Sequence, residues 1–408
     1  METEMLYALR DPLGVPSHPL MFLVLGVLTW AMHIVAVHVL LGSSALAIYG
    51  SLSSQSHWRR LAAAMVNTAK VAISVAIVFG VAPLLFVQVI YDPFWYTSNV
   101  LSAWWVIGFI IILIIGAVAL FAFYVMNKSM AEVEKTRCPG SMILAIALFL
   151  VVGFIMHALA VQMLHPEKWM EWYAPGGIID PSGRSIHEFN LWRFGFFIAL
   201  SAPMIGLWLY AYRRYLMARE NENAEYLDFL KRLAASLGSI GGVISLVFFI
   251  AWMLTLPENI ASFATSIWPV LTILALAAAV AFPMLIARKL DTGLWGYAPF
   301  AVGIIAGLVV AIMREAVRWQ TLFGVHGYNP LDYKVHMDWY STLLFIITLV
   351  VMGGAVLSYL VTVAWKAGQT KGMYTPSPAV NRLGNFAIAT VAIWILQYFG
   401  FGLWVAYM

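Results

Sequence analysis

Ten apolar segments, each about 20 residues or longer, divide this sequence, and a segment of that length crosses the hydrocarbon core of a bilayer as an α-helix. With 62% hydrophobic and 10% charged residues, the chain has too little polar surface for a soluble domain. The sequence therefore predicts an all-α fold, a polytopic membrane helical bundle that forms a single transmembrane domain over residues 1–408. The segments run 20–49, 61–91, 100–127, 141–164, 189–217, 237–256, 266–286, 297–317, 338–363 and 384–407.

Positive charges are distributed unequally between the two sides of this predicted bundle. The loops after odd-numbered segments contain 15 of the 23 Lys and Arg residues, and the opposite side contains seven. Because positively charged loops stay on the cytoplasmic side, both termini are expected outside, in the periplasm, for a multi-pass protein of a bacterial inner membrane. No cleavable signal peptide is expected, because the first apolar segment is too long for a signal core. We expect helices 1–4 and helices 5–9 to form two bundles, with an additional C-terminal helix at 384–407.

Ionisable residues inside these apolar segments are the main functional signal. Glu315 and Arg318 lie near the outer end of the eighth segment, and His33 and His157 lie at similar depth in the first and fourth. Such groups are costly at membrane depth and therefore indicate a functional site. A carboxylate, an arginine and imidazoles together predict a buried metal or haem site.

The histidines are candidate iron ligands, and each has a simpler alternative. A neutral imidazole at the depth of His33 would leave its ring nitrogens unsatisfied in lipid without a partner. His38 lies about 140° further round the same helix, so it cannot share one iron face with His33. Each of His33, His38 and His157 could instead be a packed histidine that is hydrogen-bonded to a neighbouring Ser or carbonyl group.

Glu315 and Arg318 are three residues apart, hence on one helix face, and could form only an intrahelical ion pair. The alternative is that Glu315 is a weak oxygen ligand to a haem iron and Arg318 is the counter-charge of a haem propionate. Arg314 lies about 100° away from that face and is expected to extend to the membrane interface. The single cysteine, Cys138, excludes a CxxCH motif, so any haem would be bound non-covalently.

Two long loops on the predicted outer side, 165–188 and 319–337, are rich in Trp, Tyr, Pro and Gly. They could be aromatic belts at the membrane interface, or a surface where a periplasmic electron carrier docks. The inner loop at 213–235 is expected to be a short solvated helix extension.

Three motifs, in this order along the chain, carry a resemblance to a known family. The first segment contains Leu28-Thr29-Trp30-Ala31-Met32-His33, the second ends in Val87–Tyr96, and the eighth contains Glu315-Ala316-Val317-Arg318. With them the chain resembles subunit I of the cytochrome bd-type quinol oxidases over most of its length. The resemblance implies that His33 ligates an oxygen-binding haem d and that Glu315 ligates the neighbouring high-spin haem b.

The chain also departs from that family's pattern. The stretches at 192–197 and 262–266 lack the histidine and the methionine that hold the family's low-spin haem b. The loop at 257–265 is too short for the family's quinol site. The family's acidic residues for proton delivery are replaced by apolar residues at 85–87 and 116–119.

These features together favour a haem-binding integral membrane subunit of a respiratory redox complex, an oxidoreductase subunit with one or two haems of b or d type. Electrons would come from a periplasmic c-type cytochrome or other redox subunits and pass to a small acceptor such as oxygen, or onward through a hetero-oligomeric complex. His157 would replace the missing ligand of a repositioned low-spin haem. We expect contact with membrane lipid and none with nucleic acid.

Two other functions remain open from the sequence. The missing ligands and the missing quinol loop favour a haem-free membrane anchor, or scaffold, derived from an oxidase fold. A secondary transporter would explain charges at the membrane midplane, but the sequence shows no inverted repeat and no pair of interrupted helices of the kind that transporters use.

Overall fold

The structure, a computed structural model, describes residues 3–127, 136–217, 223–370 and 373–407. Ten helices in these ranges are long and apolar enough to cross a membrane, which confirms the predicted all-α bundle. The described residues form no sheet, and their one β-bridge joins Val15 to Val335. Numbered α1 to α10 in chain order, the ten helices are Pro19–Leu52, Ser56–Ile90, Ala103–Met126, Pro139–Gln162, Leu191–Met217, Ala224–Leu254, Ile267–Leu285, Ala298–Val325, Trp339–Ala367 and Pro378–Tyr407.

Helix α6 begins before the apolar segment that predicted it. Its first turns start at Ala224 and contain the buried residues Tyr226, Leu230 and Ala234. A spacing of four puts these three side chains on one helix face, and that face belongs to the main apolar core. The predicted extension at 213–235 lies partly outside the described residues. Its described part from Ala224 onward is helical, and one side of it is packed rather than solvated.

Polar residues mark where several helices begin. The side chains of His18, Asn190 and Asp338 precede α1, α5 and α9, and each accepts a hydrogen bond from a backbone N–H of the first turn. These bonds satisfy amide groups that have no partner within the helix. At α5 the donor is the amide of Arg193, 2.8 Å from Oδ1 of Asn190. This hydrogen bond to Asn190 thus fixes the first turn of α5 and, with it, the position of Arg193.

Helix α1 lies at the centre of the helix packing. It packs along α2 and also contacts α4, α8 and the second half of α5. Around it, α3 pairs with α4, α5 with α6, and α7 with α8. Helix α1 therefore contacts helices of both predicted bundles, and the space beside it is bounded by several spans at once.

The last two spans pack mainly against each other. In the most apolar stretch of each of these helices, α9 and α10, only 6% of the residues are buried inside the structure. Helix α10 starts at Pro378, before the predicted 384. Most of the surface of these two helices is therefore exposed in the described chain.

A layer of aromatic residues covers the bundle on the side where α1 begins. We call this layer the cap; its apolar cluster includes Phe94, Trp169 and Tyr328. Because Trp169 and Tyr328 are almost completely buried, these two residues do not belong to an exposed interfacial belt. The predicted loops 165–188 and 319–337 both contribute to the cap, and they enclose the space below it.

Candidate functional site

A cavity of about 500 Å³ lies beneath the cap, bounded by α1, α2, α3, α4, α5 and α8. This volume is within the range of protein sites for small ligands and cofactors. Most of its lining is aliphatic or aromatic. The titratable residues that line it are His33, Tyr91, His157, Arg193, Arg314, Glu315 and Arg318.

The imidazole of His33 has a defined orientation in this cavity. Its Nδ1 lies 2.8 Å from the carbonyl oxygen of Ala76 on α2. A carbonyl group only accepts, so Nδ1 carries the proton and donates, and Nε2 keeps its lone pair. No described residue hydrogen-bonds to that Nε2. A neutral imidazole whose other nitrogen donates to a carbonyl is the usual form of a metal-ligating histidine.

Gly80 of α2 provides the space for this ring. A Cβ atom on Gly80 would lie 2.8 Å from both Cε1 and Nδ1 of His33, which is closer than side-chain atoms approach without displacement. Ala76 is one helical turn before Gly80. Helix α2 therefore both leaves room for the imidazole and accepts its proton.

Glu315 has two hydrogen-bonding partners. Its Oε1 accepts from the hydroxyl of Tyr91 at 2.6 Å, and its Oε2 accepts from Nη1 of Arg318 at 2.8 Å. The side chains of Glu315 and Arg318 are 12% and 10% exposed. The predicted intrahelical ion pair is thus present. Each carboxylate oxygen still keeps a further lone pair, so the pair does not exclude a ligand role.

The sequence predicted that Arg314 extends to the membrane interface. In the structure its side chain lines the cavity instead. Its guanidinium carbon lies 4.5 Å from the centre of the Trp30 ring on α1. At that distance an arginine interacts favourably with the ring face. The interaction with α1 holds Arg314 inside the bundle.

Arg193 is a cavity residue that the sequence pattern did not single out, because it lies near the end of a span and counted as an outer positive charge. It is 7% exposed. Its guanidinium carbon lies 5.8 Å from the Phe197 ring and 5.6 Å from the Trp252 ring. Within the described ranges, its buried Nη1 has no hydrogen-bond partner. An arginine in the third position of an apolar helix is the signal that could have identified it.

His157 lines the same cavity but already uses one nitrogen. Its Nε2 accepts a hydrogen bond from the backbone amide of Asn190 at 3.1 Å. That bond leaves the ring proton on Nδ1. Iron binding through Nε2 would require the amide of Asn190 to lose its acceptor.

His38 lies elsewhere. Its Nδ1 is 3.3 Å from Oγ of Ser201, and it lines a separate cavity of about 30 Å³. The structure thus brings His33, His157, Glu315 and Arg318 to one cavity and places His38 outside it.

A hydrogen-bonded network in the cap fixes the residue next to Tyr91. Asp92 accepts from the hydroxyl of Tyr333 and, at 2.8 Å, from the amide of Asp11. Burial raises the pKa of the Asp92 carboxyl, although these hydrogen bonds oppose the shift. Burial also raises the pKa of Tyr328, which is hydrogen-bonded to Tyr333, to about 12.

Comparison with known proteins identifies the fold. No family model and no curated protein sequence matches this chain. Among solved structures, a chain of the bd oxidase from Geobacillus thermodenitrificans is similar, with a TM-score of 0.56 and 13% sequence identity over 85% of this chain and 98% of that chain. At this identity the likeness shows the fold alone. It confirms, at the level of the fold, the remote resemblance that the sequence motifs indicated.

Proposed function

We propose that this protein is a haem-binding integral membrane subunit of a bd-oxidase-like redox complex, and that His33 is the iron ligand. One observation carries the proposal: the Nε2 lone pair of His33 has no partner among the described residues, while Nδ1 is held by Ala76 at 2.8 Å. The ring lines a cavity of about 500 Å³ with a mainly apolar wall. This arrangement is typical of a histidine prepared for a metal.

Two further observations fit a haem group. Gly80 leaves a space that a Cβ would fill, directly beside the imidazole. Arg193 has a buried guanidinium nitrogen without a hydrogen-bond partner among the residues that the structure describes, and arginine is the preferred partner of carboxylates such as the haem propionates. When bound, haem supplies one-electron chemistry and, with one protein ligand, an open coordination position for a small molecule such as oxygen.

The chain's own residues would bind and orient this group. His33 supplies the nitrogen ligand, and Ala76 and Gly80 set the plane of its ring. Glu315 would serve a neighbouring haem as an oxygen ligand, as the resemblance implies, while Arg318 compensates its charge inside the bundle. His157 would reach iron only by releasing the amide of Asn190, so we propose His33 rather than His157 as the first ligand.

The partners and location follow the same proposal. One or two haems of b or d type would accept electrons from a periplasmic c-type cytochrome, or from another redox subunit, at the cap side. The exposed faces of α9 and α10 are surfaces for lipid and for further subunits of a hetero-oligomeric complex in a bacterial inner membrane. The electrons would pass to oxygen or onward through that complex.

The test is a reduced-minus-oxidised absorption spectrum of the purified chain, with haem quantified as its pyridine haemochrome. We expect His33→Ala to lose or shift the haem bands. His38→Ala is the matched control, because His38 lies on the same helix but lines a different cavity, and it should keep the spectrum. Unchanged bands in His33→Ala would disprove this ligand.

The second candidate function is a haem-free membrane scaffold. The observation in its favour is that Glu315 already has a partner on each oxygen, Tyr91 and Arg318. A folded chain that is colourless after expression with ample haem would support the scaffold.

A further inference from the structure

The charges that line the cavity do not balance. Among the residues that the structure describes, three guanidinium groups and one carboxylate line it. Arg318 and Glu315 form an ion pair at 2.8 Å and compensate each other. Arg193 and Arg314 remain, with no carboxylate of the described chain bound to either. A buried charge without a partner is strongly unfavourable, so this pair of arginines requires an explanation.

Arg193 points to a ligand through an unsatisfied atom. It is 7% exposed, and its Nη1 is buried without a hydrogen-bond partner in the described ranges. Its two aromatic neighbours, Phe197 and Trp252, can stabilise a cation through their ring faces but cannot accept a hydrogen bond in the guanidinium plane. The in-plane N–H groups therefore stay available for an anion.

Arg314 is the second such group, and it comes from a different helix. It stacks on Trp30 at 4.5 Å, and none of the described acceptors forms a hydrogen bond with its guanidinium nitrogens. Arg193 is near the start of α5 and Arg314 is in the second half of α8, yet both line the cavity that contains His33. Two helices thus present one uncompensated cation each to the same space.

We propose that Arg193 and Arg314 bind the two acidic groups of the cavity's ligand, and that this ligand is an amphiphilic dianion of the porphyrin dicarboxylate class. Two cations on separate helices match two carboxylates on one molecule. The mainly apolar wall matches a flat hydrophobic body. A ligand with one charge, such as a fatty acid, would leave one guanidinium group unpaired.

This inference rests on the proposed function for the identity of the ligand, and it reassigns the propionate contact. Arg318 was the predicted counter-charge, but it is engaged with Glu315. Charged hydrogen bonds in a low-dielectric site are strong and geometrically selective. Arg193 and Arg314 would therefore determine whether a porphyrin with free carboxylates binds in preference to one without them.

The experiment compares two metal-free probes that differ in charge, protoporphyrin IX and its dimethyl ester. The full chain, purified from a haem-deficient host, is placed in nanodiscs of phosphatidylcholine alone, and binding is measured by porphyrin fluorescence. We expect the diacid to bind about tenfold or more tightly than the diester. In Arg193→Gln and in Arg314→Gln this preference should fall by a similar factor, while affinity for the diester changes little.

Two sets of control variants guard against misfolding. Arg382→Gln removes an exposed arginine of α10 and should leave the preference intact. Arg193→Lys and Arg314→Lys keep the charge and should retain most of the preference, because a lysine still attracts a carboxylate although it binds it with one point charge. Size-exclusion profiles establish that each variant is folded.

The outcomes are distinct from those of the proposed function. Equal affinity for diacid and diester in the wild-type chain, or a preference that survives both glutamine variants, overturns the inference. Displacement of the probe by stoichiometric phosphatidylglycerol, without diacid preference, identifies a lipid headgroup as the occupant and also overturns it. Since the probes contain no iron, loss of preference in the variants supports the inference even if His33→Ala shows that iron ligation is wrong.

Discussion

At the scale of single residues, the orientation of His33 depends on two small residues of another helix. Ala76 supplies the acceptor carbonyl and Gly80 the space. His33 itself could be predicted from the sequence, because an imidazole in an apolar segment is conspicuous. Ala76 and Gly80 could not, because nothing in a run of apolar residues indicates which of them faces a neighbouring helix. The same limit applies to Arg314, whose inward position depends on Trp30 of α1.

Gly80→Ala should therefore displace His33, the proposed iron ligand, without replacing it. The added Cβ would lie 2.8 Å from the ring of His33, so the imidazole must shift, at a cost of about 1–3 kcal/mol for overpacking. We expect weaker haem retention and altered absorption bands, measured by spectroscopy of the purified variant. Gly108→Ala is the matched control, since Gly108 does not line the cavity and its Cβ would meet nothing within 4 Å. Identical spectra for the two variants would contradict this role of Gly80.

At the scale of elements, the ten spans were predictable and their ends were not. Continuous apolar runs identify spans because the bilayer requires them. The first turns of α6 alternate charged residues with Tyr226, Leu230 and Ala234, which lowers the mean hydropathy although the helix continues. The cap was also beyond prediction, because its stability depends on contacts between loops distant in sequence. One such contact joins Nε2 of His326 to the carboxylate of Glu167 at 3.4 Å.

Acidification should loosen the cap at this contact. Burial lowers the pKa of His326, and Glu167 opposes the shift only in part. Because the pKa of His326 is lower in the folded state, the unfolded state takes up the proton first as the pH falls below 6.5, the ordinary pKa of histidine. Acid therefore lowers the stability that this residue contributes. Between pH 6.5 and pH 5, we therefore expect faster hydrogen exchange in the loops at 165–173 and 326–333, after correction for intrinsic rates.

The control for this effect is His326→Gln, which cannot take up a proton. Its exchange in the same loops should depend less on pH across this range. A pH dependence equal to that of the unchanged chain would assign the effect to other groups and contradict this role of His326.

At the scale of the whole molecule, composition predicted the membrane bundle, and the order of three motifs predicted the bd-oxidase-like fold. A buried site at His33 and Glu315 was predicted, but the size and full lining of the cavity were not, because they depend on how six helices from distant parts of the chain converge. The structure also separates this core from α9 and α10, which pack mainly against each other. None of the residues lining the cavity belongs to α9 or α10.

Removal of the final helix should therefore leave the cavity intact. A chain that ends at residue 377 lacks α10 and should keep the haem spectrum and unfolding midpoint of the full chain in nanodiscs. A chain that ends at residue 297 also lacks α8, and thus Arg314 and Glu315, and should lose both. Loss of haem from the first truncation would show that α10 supports the cavity.

The uncompensated pair Arg193 and Arg314 has a consequence for how such a protein matures in the cell. A chain that encloses like charges is least stable before their counter-ion arrives, and a ligand that binds only the folded form stabilises it by mass action. Under the proposed function, cofactor insertion would be the closing step of biogenesis rather than an addition to a finished subunit. Newly made copies that miss it would be the first that membrane quality-control proteases degrade, so supply of the cofactor would set the abundance of the protein.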